Sequence, residues 1–179
     1  FTVVLNAQPD SDVVVAITSS DTGEASSNSP LTFTSSNWDT AQTVTVTGVD
    51  DFLLDGTITS DLVVAIVDAS SDNNFDAVAD QTVSVSTTDD DVAGFTIAET
   101  EGSTGVTEAG GTDTFTVVLN AQPDSNVVLS IASSDTGEAT VTGTVTFTPA
   151  NWDTAQTVTV TGADDDLVDG TVSSTTTIS

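Results

Sequence analysis

An internal repeat with an offset of 114 residues is the feature that most constrains the fold of this chain. The segment FTVVLNAQPDS at Phe1–Ser11 recurs at Phe115–Ser125, and NWDTAQTVTVTG at Asn37–Gly48 recurs at Asn151–Gly162. A unit of this length is too long for one turn of a solenoid and has the size of a β-sandwich domain. The repeat therefore predicts a tandem array of sandwich domains.

The two copies align over residues 1–65 and 115–179 without a gap and share about 43 identical positions. The chain begins inside an apolar run, so we expect it to be an excerpt from a longer protein. We predict a first repeat over residues 1–91 that lacks its N-terminal strand, and a second over residues 92–179 that lacks its C-terminal strand.

Alternation of valine with threonine predicts β-strands in both copies. Thr43–Thr47 and Thr157–Thr161 alternate strictly, which gives each strand one apolar face and one hydroxyl face. Similar runs predict strands at 82–87, 95–98, 114–120, 126–132, 144–148 and 171–179, and turn residues separate them. No stretch shows helical periodicity, so we expect an all-β fold of tandem, immunoglobulin-like antiparallel β-sandwiches.

The charge composition excludes several classes of function. The chain carries 28 Asp and Glu residues and no Lys, Arg, His or Cys, for a formal net charge of −28. We therefore expect no nucleic-acid partner and no membrane insertion, since nothing cationic can bind phosphates and no apolar run reaches about 18 residues. General acid–base chemistry would depend on carboxylates alone, so we expect no enzyme.

Acidic residues concentrate in loops between predicted strands. Three groups stand out, namely Asp50, Asp51 and Asp55; Asp89, Asp90 and Asp91; and Asp164, Asp165, Asp166 and Asp169. Adjacent carboxylates repel by about 1 kcal/mol in water at 4 Å, and no side-chain cation can offset this. Ca²⁺ suits such oxygen-only ligand sets, whereas Mg²⁺ retains more water and Zn²⁺ lacks its preferred ligands. A solvated acidic turn is the alternative for each loop.

The order of these motifs resembles the Calx-beta family, whose calcium-binding immunoglobulin-like sandwiches occur in sodium/calcium exchangers and in bacterial surface proteins, including large RTX-type adhesins. The matching segments are a glutamate near the first strand, an acidic turn, a TFTP segment followed by a TVTV strand, an Asp-Asp loop, and a terminal Asp triplet before Ala-Gly-Phe. In this sequence they are Val106–Gly110, Ser134–Gly137, Thr146–Val160, Asp164–Asp169 and Asp89–Phe95.

The resemblance implies calcium ligands in each repeat. In the first they would be Asp21, Asp50, Asp51, Asp55, Asp89, Asp90 and Asp91. In the second they would be Glu108, Asp135, Asp164, Asp165 and Asp169. One family ligand is missing, because the second glutamate of the loop falls on Ile58 here and on Val172 in the second copy.

The resemblance and the near-identical copies together predict a structural repeat of a large secreted or cell-surface adhesin or extracellular filament. Calcium would rigidify its loops and domain junctions, and its partners would be neighbouring repeats of the same chain or other copies in a filament. A calcium-dependent glycan- or protein-binding module is the main alternative, and an acidic matrix component is a weaker one.

Overall fold

The computed structural model describes residues 1–168 and 170–179. The chain divides into two units, the first comprising residues 1–51 and 55–90, and the second comprising residues 52–54 and 91–179. Both are built from antiparallel strands, and the only helical segments among the described residues are 3₁₀ turns of three residues. The expectation of an all-β fold is therefore confirmed.

The first unit contains eight strands: β1 (Thr2–Val3), β2 (Val13–Ser19), β3 (Ala25–Ser27), β4 (Leu31–Phe33), β5 (Gln42–Thr43), β6 (Val46–Gly48), β7 (Thr57–Ile66) and β8 (Gln81–Thr88). Its largest sheet has the order β4-β2-β7-β8, and two smaller sheets pair β1 with β5 and β3 with β6. All of these pairs are antiparallel.

The core of the first unit comes from the alternating apolar positions of these strands. Val13, Phe33, Val44 and Leu62 are at most 2% exposed. Val83 of β8 is half-buried and packs against the same cluster, opposite Leu62 in the register of the β7–β8 pair. Strand β8 therefore closes one side of this core.

The second unit contains seven strands: β9 (Phe95–Glu99), β10 (Thr112–Leu119), β11 (Val127–Ser133), β12 (Ala139–Val141), β13 (Thr144–Phe147), β14 (Gln156–Gly162) and β15 (Thr176–Ile178). They form two antiparallel sheets with the orders β12-β14-β10-β9 and β13-β11-β15. Buried side chains from both sheets form one cluster, in which Val117, Phe147 and Val158 are 0% exposed.

The predicted strand at Thr43–Thr47 is interrupted in the structure, whereas its repeat counterpart is continuous as β14. In β14 the residues Thr159 and Val160 pair with Thr114 and Asp113 of β10, whose counterparts in the first unit would lie before Phe1. On the other side of the strand, Asn28 Oδ1 accepts from the Thr45 amide and Asn28 Nδ2 donates to the Thr43 carbonyl. In the second unit Thr142 stands at the position of Asn28, and its hydroxyl accepts from the Thr159 amide at 3.1 Å and donates to the Thr159 carbonyl at 3.5 Å.

Within the described residues, the structure has no helix with the length and apolar character needed to cross a lipid bilayer.

Candidate metal centre

Three carboxylates of the first unit lie close together at the loops between strands. Oxygen atoms of Glu24, Asp51 and Asp55 all lie within 4.8 Å of one another. Glu24 and Asp51 are half-buried, and Asp55 is exposed. No other group of three potential ligands meets this spacing in residues 1–168 and 170–179.

Pairing of β3 with β6 places Glu24 beside Asp51. Glu24 immediately precedes β3, and its backbone carbonyl accepts a hydrogen bond of 2.9 Å from the Val49 amide, just after β6. Asp51 follows two residues later along the same loop. A residue from the turn before β3 and one from the loop after β6 therefore meet although 27 positions separate them.

Strand β8 supports the other side of the cluster. The amide of Gly56, next to Asp55, donates to Asp89 Oδ2 at 2.9 Å. Gly56 has a φ of +77°, in the left-handed region that favours glycine, so the chain can reverse there at low cost. The Thr87 hydroxyl donates to the Glu24 carbonyl at 3.1 Å. The end of β8 thus contacts both loops that carry the carboxylates.

The electrostatics of the cluster are those of uncompensated negative charge. Desolvation raises the pKa of Glu24 above its ordinary value, and the nearby charges of Asp55, Asp21 and Asp51 and a hydrogen bond to Asp55 raise it further. A raised carboxyl pKa means that the ionised form is disfavoured in the metal-free fold. Because the sequence has no Lys, Arg or His, the charge must be relieved by a proton, by solvent ions or by a bound cation.

The donor set fits a hard divalent cation. Three carboxylates supply only oxygen, from three segments of chain, and the exposed position of Asp55 leaves room for water ligands. Ca²⁺ takes six to eight oxygens in flexible geometry at about 2.3–2.6 Å, so three carboxylates with waters or carbonyls can satisfy it.

The other predicted ligands of the first repeat lie outside this group of three. Asp21 caps its own turn, with its Oδ1 accepting from the Gly23 amide at 3.0 Å, although its charge acts on Glu24. Asp89 accepts from Gly56, and Asp50 and Asp90 are exposed. Asp91 falls in the second unit.

The second unit has the counterparts of the cluster at Glu138, Asp165 and Asp169. Asp169 lies outside the described residues, so the structure does not place the predicted site around it. Asp165 Oδ1 accepts a bond of 2.7 Å from the Leu167 amide within its own loop. Asp135 repeats the turn of Asp21, with its Oδ1 accepting from Gly137. Asp164 is exposed and Glu108 is half-buried.

Glu24 is the residue of the cluster that the sequence did not predict as a ligand. A signal was present, because the heptapeptide SSDTGEA recurs intact and carries the glutamate at both Glu24 and Glu138. Taken alone, the motif predicts a turn centred on its aspartate. Only the pairing of β3 with β6 shows that the glutamate lies beside Asp51.

Two further carboxylates are held by backbone amides and serve the fold. Asp72, 6% exposed, accepts from the amides of Asp10, Ser11 and Asn74 at 2.6, 3.2 and 2.9 Å. These bonds lower its pKa, the Asn74 amide most. Asp113 accepts from Gly105 and Thr114, which lowers its pKa too.

The sequence matches no family model, and no curated protein matches it either. The resemblance to the Calx-beta family therefore stays a prediction from the motifs.

Proposed function

We propose that this chain consists of calcium-dependent structural repeats from a secreted or cell-surface adhesin or extracellular filament. The observation that carries the proposal is the convergence of the carboxylates of Glu24, Asp51 and Asp55 within 4.8 Å in a chain without basic side chains. The near-identity of the two copies supports a repeated spacer, since a recognition surface would be concentrated in one distinctive unit.

Calcium acts in this proposal by joining loops that otherwise repel. The ion would be held by Glu24, Asp51 and Asp55, and it would supply the positive charge that the sequence lacks. Thr87 and Asp89 hold the two loops from the end of β8 through their bonds to Glu24 and Gly56. Binding would therefore fix the loops to the largest sheet of the unit. The proposal assigns no catalytic group.

Thermal unfolding with and without calcium tests the proposal. An ion that binds only the folded state stabilises it by about 2.7 kcal/mol at a hundredfold excess over Kd. We expect the melting temperature to fall by several degrees in chelator at constant ionic strength. Readdition should restore it, with Ca²⁺ more effective than Mg²⁺. An unchanged melting temperature in chelator would contradict the proposal.

Matched variants locate the effect. Asp55→Asn and Glu24→Gln each remove one ligand charge, and we expect either to weaken calcium binding by isothermal titration at least about tenfold. Asp39→Asn removes the same charge from an exposed position outside the cluster, so its calcium affinity should match that of the parent chain. An equal loss of calcium affinity in all three variants would show a nonspecific effect of net charge and would contradict the site.

A further inference from the structure

The peptide link between Asp55 and Gly56 joins a carboxylate of the acidic cluster to a glycine. The main-chain nitrogen after an aspartate can attack the side-chain carboxyl carbon, because the product is a five-membered succinimide ring. Glycine permits this attack most readily, since it has no side chain in the way and its backbone is the most flexible. The sequence contains an aspartate followed by a glycine twice, at Asp55–Gly56 and at Asp169–Gly170.

The surroundings of the Asp55–Gly56 link are open. Both residues are exposed, and they lie in the irregular segment directly before β7. A β-carbon added at Gly56 would find no atom within 4 Å beyond its immediate neighbours in the chain. The succinimide ring can therefore form here without displacing a packed group.

Two tertiary contacts restrain the atoms that would react. The Gly56 amide donates a hydrogen bond of 2.9 Å to Asp89 Oδ2, and its nitrogen must leave this bond before it attacks, because the amide hydrogen is lost in the reaction. The carboxylate of Asp55 has an oxygen within 4.8 Å of oxygens of Glu24 and Asp51, where a bound cation would hold it. Each restraint therefore acts on one of the two reacting groups.

We propose that Asp55 is a site of spontaneous isoaspartate formation in the calcium-free chain, and that Asp89 and a calcium ion at the acidic cluster suppress the reaction. The part played by calcium rests on the proposed function. In the first step the Gly56 nitrogen bonds to Asp55 Cγ, and one carboxyl oxygen leaves as water with the amide hydrogen and a proton from solvent. In the second step water adds to a ring carbonyl. Opening at the main-chain carbonyl of Asp55 leaves the chain linked through Cγ.

Isoaspartate at this position would remove a ligand from the cluster. The main chain gains one methylene, and the free carboxyl becomes the one attached to the α-carbon, while the net charge stays the same. The change lies between Asp51 and Thr57, where β7 begins. The carboxylate is thereby displaced from Glu24 and Asp51, so we expect modified chains to bind calcium more weakly. Long depletion of calcium would in this way inactivate the site.

Incubation of the intact chain in oxygen-18 water tests the proposal, because hydrolysis of the ring leaves one water oxygen in the product. Samples are held at neutral pH below the melting temperature, in chelator or in calcium. Chymotryptic peptides, with fragmentation that distinguishes isoaspartate from aspartate, then locate the label. At about a hundredfold excess of calcium over Kd about 1% of sites are empty, so label at Asp55 should appear at least about tenfold more slowly than in chelator.

Matched variants test the restraint by Asp89. In chelator, Asp89→Ala should speed the labelling of Asp55 about tenfold, the change that loss of one hydrogen bond to a charged group produces. Asp90→Ala removes the same charge from an exposed neighbour and should label at the parent rate. Gly56→Asn keeps a residue that tolerates positive φ and should slow the labelling, because its side chain hinders the attack. The Asp169–Gly170 link is the internal standard, since neither aspartate variant should change its rate.

The outcomes separate this inference from the calcium proposal. Absence of label at Asp55 in chelator would overturn the modification site, and equal labelling with and without calcium would overturn the role of the ion. Slower labelling in Asp89→Ala would overturn the restraint. Isothermal titration of fresh chain measures calcium affinity separately. Calcium binding without any label refutes this inference alone, whereas label in chelator without calcium binding refutes the proposed function and the role of the ion together.

Discussion

The acidic loop at Asp50–Gly56 and its counterpart beginning at Asp164 share most of their sequence but differ in their supports. In the first loop, Asp51 and Asp55 lie with Glu24, and Thr87 and Asp89 at the end of β8 bond to both sides of the cluster. In the second unit the position of β8 would fall after Ser179, and Asp165 accepts a bond within its own loop. In the first unit the acidic loop is therefore held by residues that lie more than 30 positions further along the chain.

The largest loss of stability is expected in the two hydrophobic cores, which are the part in which the two units agree. Phe33 and Phe147 occupy equivalent positions, and both are 0% exposed. Replacing either by alanine removes the buried ring and leaves a cavity, so we expect each variant to destabilise its own unit by about 3–5 kcal/mol.

Tryptophan fluorescence during urea unfolding can measure this loss one unit at a time. Trp38 lies in the first unit and Trp152 in the second, so a Trp→Phe change at one of them leaves a reporter for the other. Similar losses in the two units would confirm that the cores are equivalent. A loss below about 1 kcal/mol in either unit would contradict the burial described above.

A smaller effect concerns the acidic cluster and its pH dependence. The pKa of Glu24 is raised in the folded state, so its contribution to stability is present below its ordinary pKa and is lost as the pH rises through the folded value. In calcium-free buffer at pH 7, Glu24→Gln should therefore raise the melting temperature by a few degrees, because it removes one repelling charge. The advantage should disappear as the pH falls towards 4.

Thermal melts of parent and variant across this pH range, in chelator, provide the measurement. The difference in melting temperature between parent and variant isolates the contribution of Glu24. Asp72 and Asp113 are present in both chains, and their lowered pKa values act in the opposite direction. With calcium added at pH 7 the sign should reverse, because the variant then lacks a ligand. Asp39→Asn serves as the control for net charge. An equal pH-dependent rise in melting temperature in that variant would show that the effect is not specific to Glu24.

The smallest predicted effect compares two serines at one repeat position. Ser60 is buried in β7, and its hydroxyl has no hydrogen-bond partner among the described residues, whereas Ser174 is exposed. A buried unsatisfied hydroxyl is costly, so Ser60→Ala should stabilise the first unit by up to about 1 kcal/mol. Ser174→Ala should leave the second unit unchanged in the same urea titration. Destabilisation by Ser60→Ala would show that the hydroxyl has a partner in solution.

Local sequence predicted the strands best where an alternating segment also has a neighbouring strand with which to pair. The strict Val/Thr alternation at Thr157–Thr161 lies inside β14, and the strand predicted over residues 82–87 is observed as β8, Gln81–Thr88. The prediction of one strand over residues 171–179 was only partly met, since β15 covers Thr176–Ile178. Alternation specifies which face is apolar, but a strand also needs a neighbour with which to exchange hydrogen bonds.

The candidate site was only partly predictable because it also depends on which strands pair. Asp51 and Asp55 lie in one short acidic loop, so composition alone indicated them. Glu24 joins them through the pairing of β3 with β6, which no local pattern specifies. Asp21, from the same turn, bonds to its own backbone instead. Which of two nearby carboxylates faces the loop is decided by tertiary contacts.

The carboxylates of Asp72, Asp113 and Asp165 accept hydrogen bonds from backbone amides, and this has a consequence for the response of the protein to salt. Apart from the N-terminal amine, the sequence has no cationic group, so nearly every charge–charge interaction within the chain is repulsive. Mobile ions shorten the range of that repulsion to about 8 Å at physiological ionic strength. Amide-to-carboxylate hydrogen bonds act over a distance shorter than this screening length, so salt weakens them little. In most proteins salt weakens attractions and repulsions together, whereas in the calcium-free form of this chain added electrolyte should mainly weaken repulsion and so increase stability.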